Sequence, residues 1–456
     1  MNNKHIKNKL RSCEILCALL PVGFVCIFGS KYVLLPAIDK NYALTKERIM
    51  YDEVTSYGQE GEYLDRNGNS ILSDSYAPSP ENYSYAYLLG YYTVNNEQIN
   101  AYGLRGNLKD YTWFQLDSFD KGATVRLTTD NALQNYCYNL LNGNEGSITV
   151  LDSQTGEILA LASQSTIDYD VNNSQSFVSS TIPDAQFRRG TYENDPPGST
   201  FKVITAAAAL EKQEEEGLGD DFLQYNDTGS YLPDGDSWTI TNYNDEIYGN
   251  CDLNTAMQYS INCYFAHLGI EVGAERLKQK AEEFYFGKEI QIPFLCTLHS
   301  SVDIEEGSSG SISQTAFGQG NTEVSPLQLA MVAQAISNNG DMMRPYIVKS
   351  VANSYKTFYK GKQEKLSSTM DSSVNEKLKN AMHAAAEEYG LYESYYGMVY
   401  AKTGTAECAN DRIHCYMIGC TDSYAFCISL NNAQISTQLY GTAQQLVSYL
   451  NQSGIE

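Results

Sequence analysis

The 456-residue chain is poor in basic charge and nearly devoid of histidine and tryptophan. Its 31 Lys and Arg stand against 55 Asp and Glu, a net charge of −24. A phosphate backbone selects the opposite sign, so nucleic acid is excluded as a partner. No CxxC, no HExxH and no spaced Cys/His ligand set occurs, so neither a metal nor a cofactor is expected. No GxSxG elbow occurs either, and His267, His299 and His383 lack a partner pattern, which leaves a Ser-His-Asp hydrolase without support. Eleven cysteines form no regular framework. Cys13, Cys17 and Cys26 read as small hydrophobes, whereas Cys408 and Cys415 flank a turn-like segment and leave two readings open, a cross-hairpin bond or two free buried thiols. What remains is globular: 42% hydrophobic and 19% charged residues, with room for two or three domains at about 150 residues each.

The longest uncharged stretch near the start is Ile15–Ser30, sixteen residues, short of the roughly 20 that cross a bilayer. Lys31 can snorkel and let the apolar span continue to Ile38. Lys4, Lys7, Lys9 and Arg11 precede it, and basic flanks stay on the cytoplasmic side. The expectation is a cytoplasmic tail over 1–12 and a membrane signal anchor over 13–38, with the remainder outside the cell membrane as a single-pass protein. A cleaved signal peptide is the alternative, and it exports the same domain.

Residues 39–145 are Tyr-rich and turn-rich, the pattern of a small module. The pattern changes at 146, and 146–456 reads as one larger domain. Ser147–Asp152 and Glu157–Ala162 predict a hairpin, followed by helices over Ser199–Lys212, Leu253–Leu268 and Pro326–Asn338. Closing strands are predicted at Gly397–Lys402, Tyr416–Cys420 and Ala425–Leu430. Strands, then helices, then strands predict an α+β domain whose sheet unites its two ends.

Three short patterns could carry chemistry. Ser199 and Lys202 are one helical turn apart, directly after Pro196-Pro-Gly198. A serine hydroxyl needs a base within reach, and a buried lysine left neutral can be one. The surrounding helix is apolar nearly all round, so an idle lysine there would be costly. Ser260 and Asn262 form a second polar pair, which reads either as an exposed helix face or as a proton relay with an amide anchor. Lys402-Thr403-Gly404-Thr405 ends a strand-like run, where Gly404 lets a ligand backbone approach and an extended peptide can add as a strand.

Pro197-Gly-Ser-Thr-Phe-Lys202, Ser260-Ile-Asn262 and Lys402-Thr-Gly404 resemble the three active-site motifs of penicillin-binding proteins and serine β-lactamases. Asp65-Arg-Asn-Gly68, Leu127-Thr-Thr-Asp130, Thr155–Ala160 and Gly318–Ala330 are similar to the class B, monofunctional penicillin-binding proteins. The resemblance departs at Glu60, where the family signature begins with arginine. It implies a transpeptidase or β-lactamase-like fold, an antiparallel sheet flanked by helices plus a helical subdomain, with residues 39–145 as a compact pedestal. It further implies a D,D-transpeptidase that cross-links peptidoglycan stem peptides ending in D-Ala-D-Ala and is acylated by β-lactams. Ser199 would be the nucleophile and Lys202 its base. Ser260 and Lys402 would return the proton, and Asn262 would hold the substrate amide. Thr403, Gly404 and Thr405 would bind substrate, with the Ser199 and Thr405 N–H groups as oxyanion hole. The implied partner is a membrane-embedded glycosyltransferase of the shape, elongation, division and sporulation (SEDS) family. Rival readings are a serine β-lactamase, a membrane β-lactam sensor and a D,D-carboxypeptidase. The first lacks a Glu-x-x-Leu-Asn loop, and Tyr248-Gly-Asn250 lies only ten residues before Ser260.

Overall fold

The computed structural model describes residues 61–71, 84–90, 92–95, 98–101, 103–112, 122–164, 189–305, 307–408 and 412–455. The expected tail 1–12 and anchor 13–38 lie outside these residues, as does part of 39–145. No helix among the described residues is long and apolar enough to cross a membrane.

In chain order the elements that frame the site begin with β1 (Tyr63–Leu64) and β2 (Thr124–Leu127). Helix α1 (Asn131–Leu141) follows, its first turn capped by Asp130, whose carboxylate accepts from the Leu133 N–H at 2.9 Å. The predicted hairpin is present as β3 (Gly146–Asp152) and β4 (Ile158–Gln164). Next come the helices α2 (Lys202–Glu216), α3 (Leu253–Gln258), α4 (Asn262–Val272) and α5 (Pro326–Ser337). Strands β5 (Val348–Ala352) and β6 (Thr357–Lys360) lead to α6 (Ser372–Glu388). The chain closes with β7 (Tyr400–Cys408), β8 (Arg412–Cys420), β9 (Tyr424–Leu430) and α7 (Tyr440–Ser453).

The main sheet has the order β7-β8-β9-β3-β4 and is antiparallel throughout. Its two ends of sequence meet where β9 pairs with β3, as the pattern of strands and helices predicted. Every residue of α5 is buried, and the helix lies on β9, β8 and β3, the position an all-round apolar helix must take. A second part is helical: α2 packs on α4 and α6, while α6 also packs on α3 and on the edge strand β7. This is the expected α+β architecture. A smaller sheet, β1-β2-β5-β6, draws β1 and β2 from before residue 146 and β5 and β6 from after it.

Three local expectations are corrected. The helix expected from Ser199 begins at Lys202, because Gly198–Phe201 form a tighter 3-10 turn, and it runs on to Glu216. The helix expected over Leu253–Leu268 is broken at Ser260, which has φ +57°. The strand expected over Gly397–Lys402 instead runs from Tyr400 to Cys408, so Lys402–Thr405 lie inside it. Of the two readings left open for Cys408 and Cys415, the structure shows free thiols: Cys415 stands opposite Thr405 and Cys408 opposite Arg412, out of register for a bond.

Candidate active site

Three stretches of backbone meet at the 3-10 turn. At Gly404 on the edge strand β7, a Cβ would fall 2.6 Å from Pro197 O and 3.1 Å from Thr200 N. At Gly198 (φ +54°) a Cβ would fall 2.5 Å from Thr405 O, and at Gly318 (φ +91°) 1.7 Å from Gly198 O. Each position needs glycine because main chain occupies the space of a side chain. The turn carrying Ser199 is thus pressed directly against the strand carrying Thr403 and Thr405.

The cleft at this seam has a volume of about 710 Å³, and Ser199, Ser260, Asn262, Thr403 and Thr405 all line it. Among the described residues, no hydrogen bond engages the Ser199 hydroxyl. The amines of Lys202 and Lys402 are wholly buried. Lys202 Nζ lies 2.6 Å from Ser260 O, 2.8 Å from Asn262 Oδ1 and 3.0 Å from Ser260 Oγ. A neutral amine has two N–H groups and one lone pair. Those three contacts fit it: it donates to the carbonyl and the amide oxygen and accepts from the Ser260 hydroxyl. Lys402 Nζ donates to the same Ser260 Oγ at 3.0 Å, to Thr403 O at 3.1 Å and to Tyr389 OH at 3.3 Å.

Burial, and secondarily the positive charge of Lys402, hold the Lys202 amine well below the ordinary lysine value. A third buried lysine shows what structural burial looks like. Lys280 donates to Glu211 at 2.9 Å, to Thr369 O at 2.7 Å and to Glu283. Among the described residues no carboxylate bonds to Lys202 or Lys402. Lys202 thus lacks the carboxylate partners that Lys280 has.

Ser260 reaches both lysines because it interrupts the helix. A left-handed non-glycine residue costs about 1–3 kcal/mol. The Ser260 carbonyl, freed from the helical ladder, accepts from Lys202, and its hydroxyl meets both amines. Ile261 then turns extended and Asn262 opens α4, its Nδ2 donating to Thr241 O at 3.0 Å while Oδ1 faces Lys202. The polar pair is therefore part of the site and not an exposed helix face.

The structure brings all eight expected residues to one place: five on the cleft wall, two amines buried behind it, and Gly404 in the seam. Sequence reasoning missed Tyr389, at the end of α6. Its hydroxyl accepts from Lys402, from Thr403 Oγ1 at 3.1 Å and from Thr403 N at 3.4 Å. One of 36 tyrosines, thirteen residues before Lys402, it carries no local signal. Tyr248 lines the cleft with its hydroxyl bonded to Glu246. Chemically, an unengaged hydroxyl, a buried amine one turn away and a second hydroxyl shared by two amines suit acyl transfer through a serine ester.

Residues 146–446 match the family described as penicillin binding protein transpeptidase domain. The peptidoglycan D,D-transpeptidase PbpA of Mycolicibacterium smegmatis is 28% identical over 80% of this chain and 80% of its own length. The stage V sporulation protein D of Bacillus subtilis is 27% identical over 90% of this chain and 65% of its own length. Among solved structures, penicillin-binding protein A from Mycobacterium tuberculosis superposes with a TM-score of 0.75 at 22% identity, covering 86% of this chain and 99% of that one. The D,D-transpeptidase domain of a peptidoglycan glycosyltransferase from Eggerthella lenta gives 0.73 at 24%, covering 88% and 100%. The likeness supports the expected α+β transpeptidase fold.

Proposed function

The chain belongs to the penicillin-binding protein transpeptidase family, and from that premise we propose that it is a peptidoglycan D,D-transpeptidase acting through a Ser199 acyl-enzyme. The observation that carries this reading is the meeting of Lys202 and Lys402 at one hydroxyl, Ser260, on the wall that also holds Ser199.

In this reading the stem peptide lies along β7 as an added strand, its terminal carboxylate toward Thr403 and Thr405 and its amide held by Asn262. Ser199 Oγ attacks the carbonyl of the penultimate D-alanine, and its proton passes to the neutral Lys202 amine. The N–H groups of Ser199 and Thr405 receive the oxyanion, each donor worth about 3 kcal/mol. As the C–N bond breaks, the proton returns through Ser260 to the leaving D-alanine amine. Lys402 steadies the hydroxyl, and Tyr389 steadies Lys402. The acyl group then passes to the amine of a neighbouring stem peptide: the new C–N bond forms as the ester C–O bond breaks, and the amine's proton returns through Lys202 to Ser199 Oγ. A β-lactam would acylate the same hydroxyl, its ring nitrogen taking the place of the leaving amine.

The same reading assigns residues 13–38 to a membrane anchor that leaves 39–456 outside the cell membrane. It makes 39–145 a compact pedestal, and a SEDS-family glycosyltransferase the enzyme that supplies uncross-linked strands. The basic flank and apolar run support the anchor, and the turn-rich composition supports the pedestal.

The test is an exchange assay. A stem-peptide mimic ending in D-Ala-D-Ala is incubated with the full chain and labelled D-alanine. Incorporation of label that vanishes in Ser199→Ala supports a transpeptidase. Hydrolysis without incorporation would assign a carboxypeptidase, and fast sustained nitrocefin turnover a β-lactamase.

A further inference from the structure

Just outside the cleft, three side chains from two distant parts of the chain converge. Asp195 stands four residues before Ser199, while Cys408 ends β7 and His414 lies on β8. One ligand atom of each lies within 4.8 Å of the other two, the one such trio of His, Cys, Asp or Glu among the described residues.

The histidine makes the cluster more than a coincidence of polar groups. The His414 side chain is 1% exposed, and neither ring nitrogen has a hydrogen-bond partner. Its Nδ1 lies 2.9 Å from Asp195 Oδ2, yet off the line along which a ring N–H donates. A buried imidazole left in this way is costly. Two donors on one tetrahedral ion stand about 3.3 Å apart and do not point at each other, because both point at the metal. The short, misaligned Asp195–His414 contact has that form. Asp195 and Cys408 are only half-buried, so the cluster is not sealed from solvent.

We propose that Asp195, Cys408 and His414 form a zinc site. Imidazole, thiolate and a single carboxylate favour zinc over magnesium or calcium, which take oxygen ligands. The site goes beyond the transpeptidase reading and does not depend on it. Asp195 is already fixed to Val324 through both its N–H and its carbonyl, at 3.2 and 2.9 Å. The ion would tie that fixed point to the β7–β8 hairpin, with Ser199 four residues along one arm and Thr405 three residues back along the other. It would hold the nucleophile turn and the substrate-binding strand at one spacing from outside the cleft. The sequence shows no ligand motif because Asp195 stands more than two hundred residues before Cys408 and His414, and only the fold brings it to them.

The full chain, kept reduced, stripped with a chelator and titrated with Co2+, should bind one equivalent and develop a cobalt–thiolate charge-transfer band that Zn2+ abolishes. Cys408→Ser should remove the band, and Asp195→Asn and His414→Gln should each weaken Zn2+ binding tenfold or more. Cys296→Ser, at an exposed thiol elsewhere, should change nothing. Zn2+ should raise the melting temperature of the native chain and not that of Cys408→Ser. No band in the native chain, or a band surviving in Cys408→Ser, overturns the site. So does a melting temperature indifferent to Zn2+, which would leave Asp195 and His414 as a close polar contact only.

Discussion

At the scale of single residues, the site is a question of which buried amine carries a proton. Lys202 and Lys402 share Ser260 Oγ, and among the described residues no carboxylate bonds to either, so two charges there would repel with little screening. Lys202 is the one that burial and its neighbour hold well below the ordinary value of 10.5. A lysine is a base only after losing its proton, so β-lactam acylation should rise with pH through that depressed value. It should reach its plateau well below 10.5; a stopped-flow profile still climbing at 10.5 would contradict the assignment. Tyr389 gives a second prediction. A hydrogen bond to a charged group contributes about 1.5–3 kcal/mol, so Tyr389→Phe should slow acylation about 10- to 100-fold. Unchanged kinetics in that variant would reduce Tyr389 to packing. Ser199, Lys202 and Lys402 were legible in the sequence because short motifs encode them. Tyr389 was not, since its role depends on where α6 ends relative to β7.

At the scale of elements, the decisive feature is the contact of the 3-10 turn with the edge strand. Gly198 and Gly404 permit it, and an added methyl at either meets main chain at 2.5–2.6 Å. Displacement of a reacting group by about 1 Å is worth about 100-fold in rate. Gly404→Ala should therefore lower the acylation rate about 100-fold while far-ultraviolet circular dichroism stays native; a fully active variant would show that the seam does not set the geometry. The hairpin at β3–β4 and helix α5 were legible because alternation and an unbroken apolar run are local signals. The break at Ser260 was not. The stretch Leu253–Leu268 reads as one helix until Lys202, more than fifty residues away, supplies the partner for the freed Ser260 carbonyl. Strand β7 was read short for a similar reason: Thr403, Gly404 and Thr405 lack the apolar alternation of a strand, and pairing with β8 holds them in it.

At the scale of the whole molecule, the sheet joins the two sides of the chain through β3 and β9, and the helical part closes against it through α6 on β7. Ser199, the proposed nucleophile, belongs to the helical side and β7, the proposed substrate strand, to the sheet, so the cleft is the line where they meet. That order of strands, helices and strands was visible from composition and pattern. The smaller sheet was not, since β5 pairs with β2 across more than two hundred residues. The proposed export also belongs to the scale of the whole chain. If residues 13–38 anchor it, the full chain should stay with membranes through an alkaline carbonate wash, and a chain lacking 1–38 should be released. Release of both would replace the anchor with a cleaved signal. The proposed activity rests finally on one hydroxyl, and peptide-level mass spectrometry after exposure to benzylpenicillin is its sharpest test. The account predicts one penicilloyl adduct, on the peptide holding Ser199, absent from Ser199→Ala and much slower to form in Lys202→Ala. An adduct on any other residue, or one formed at the native rate without Lys202, would contradict it.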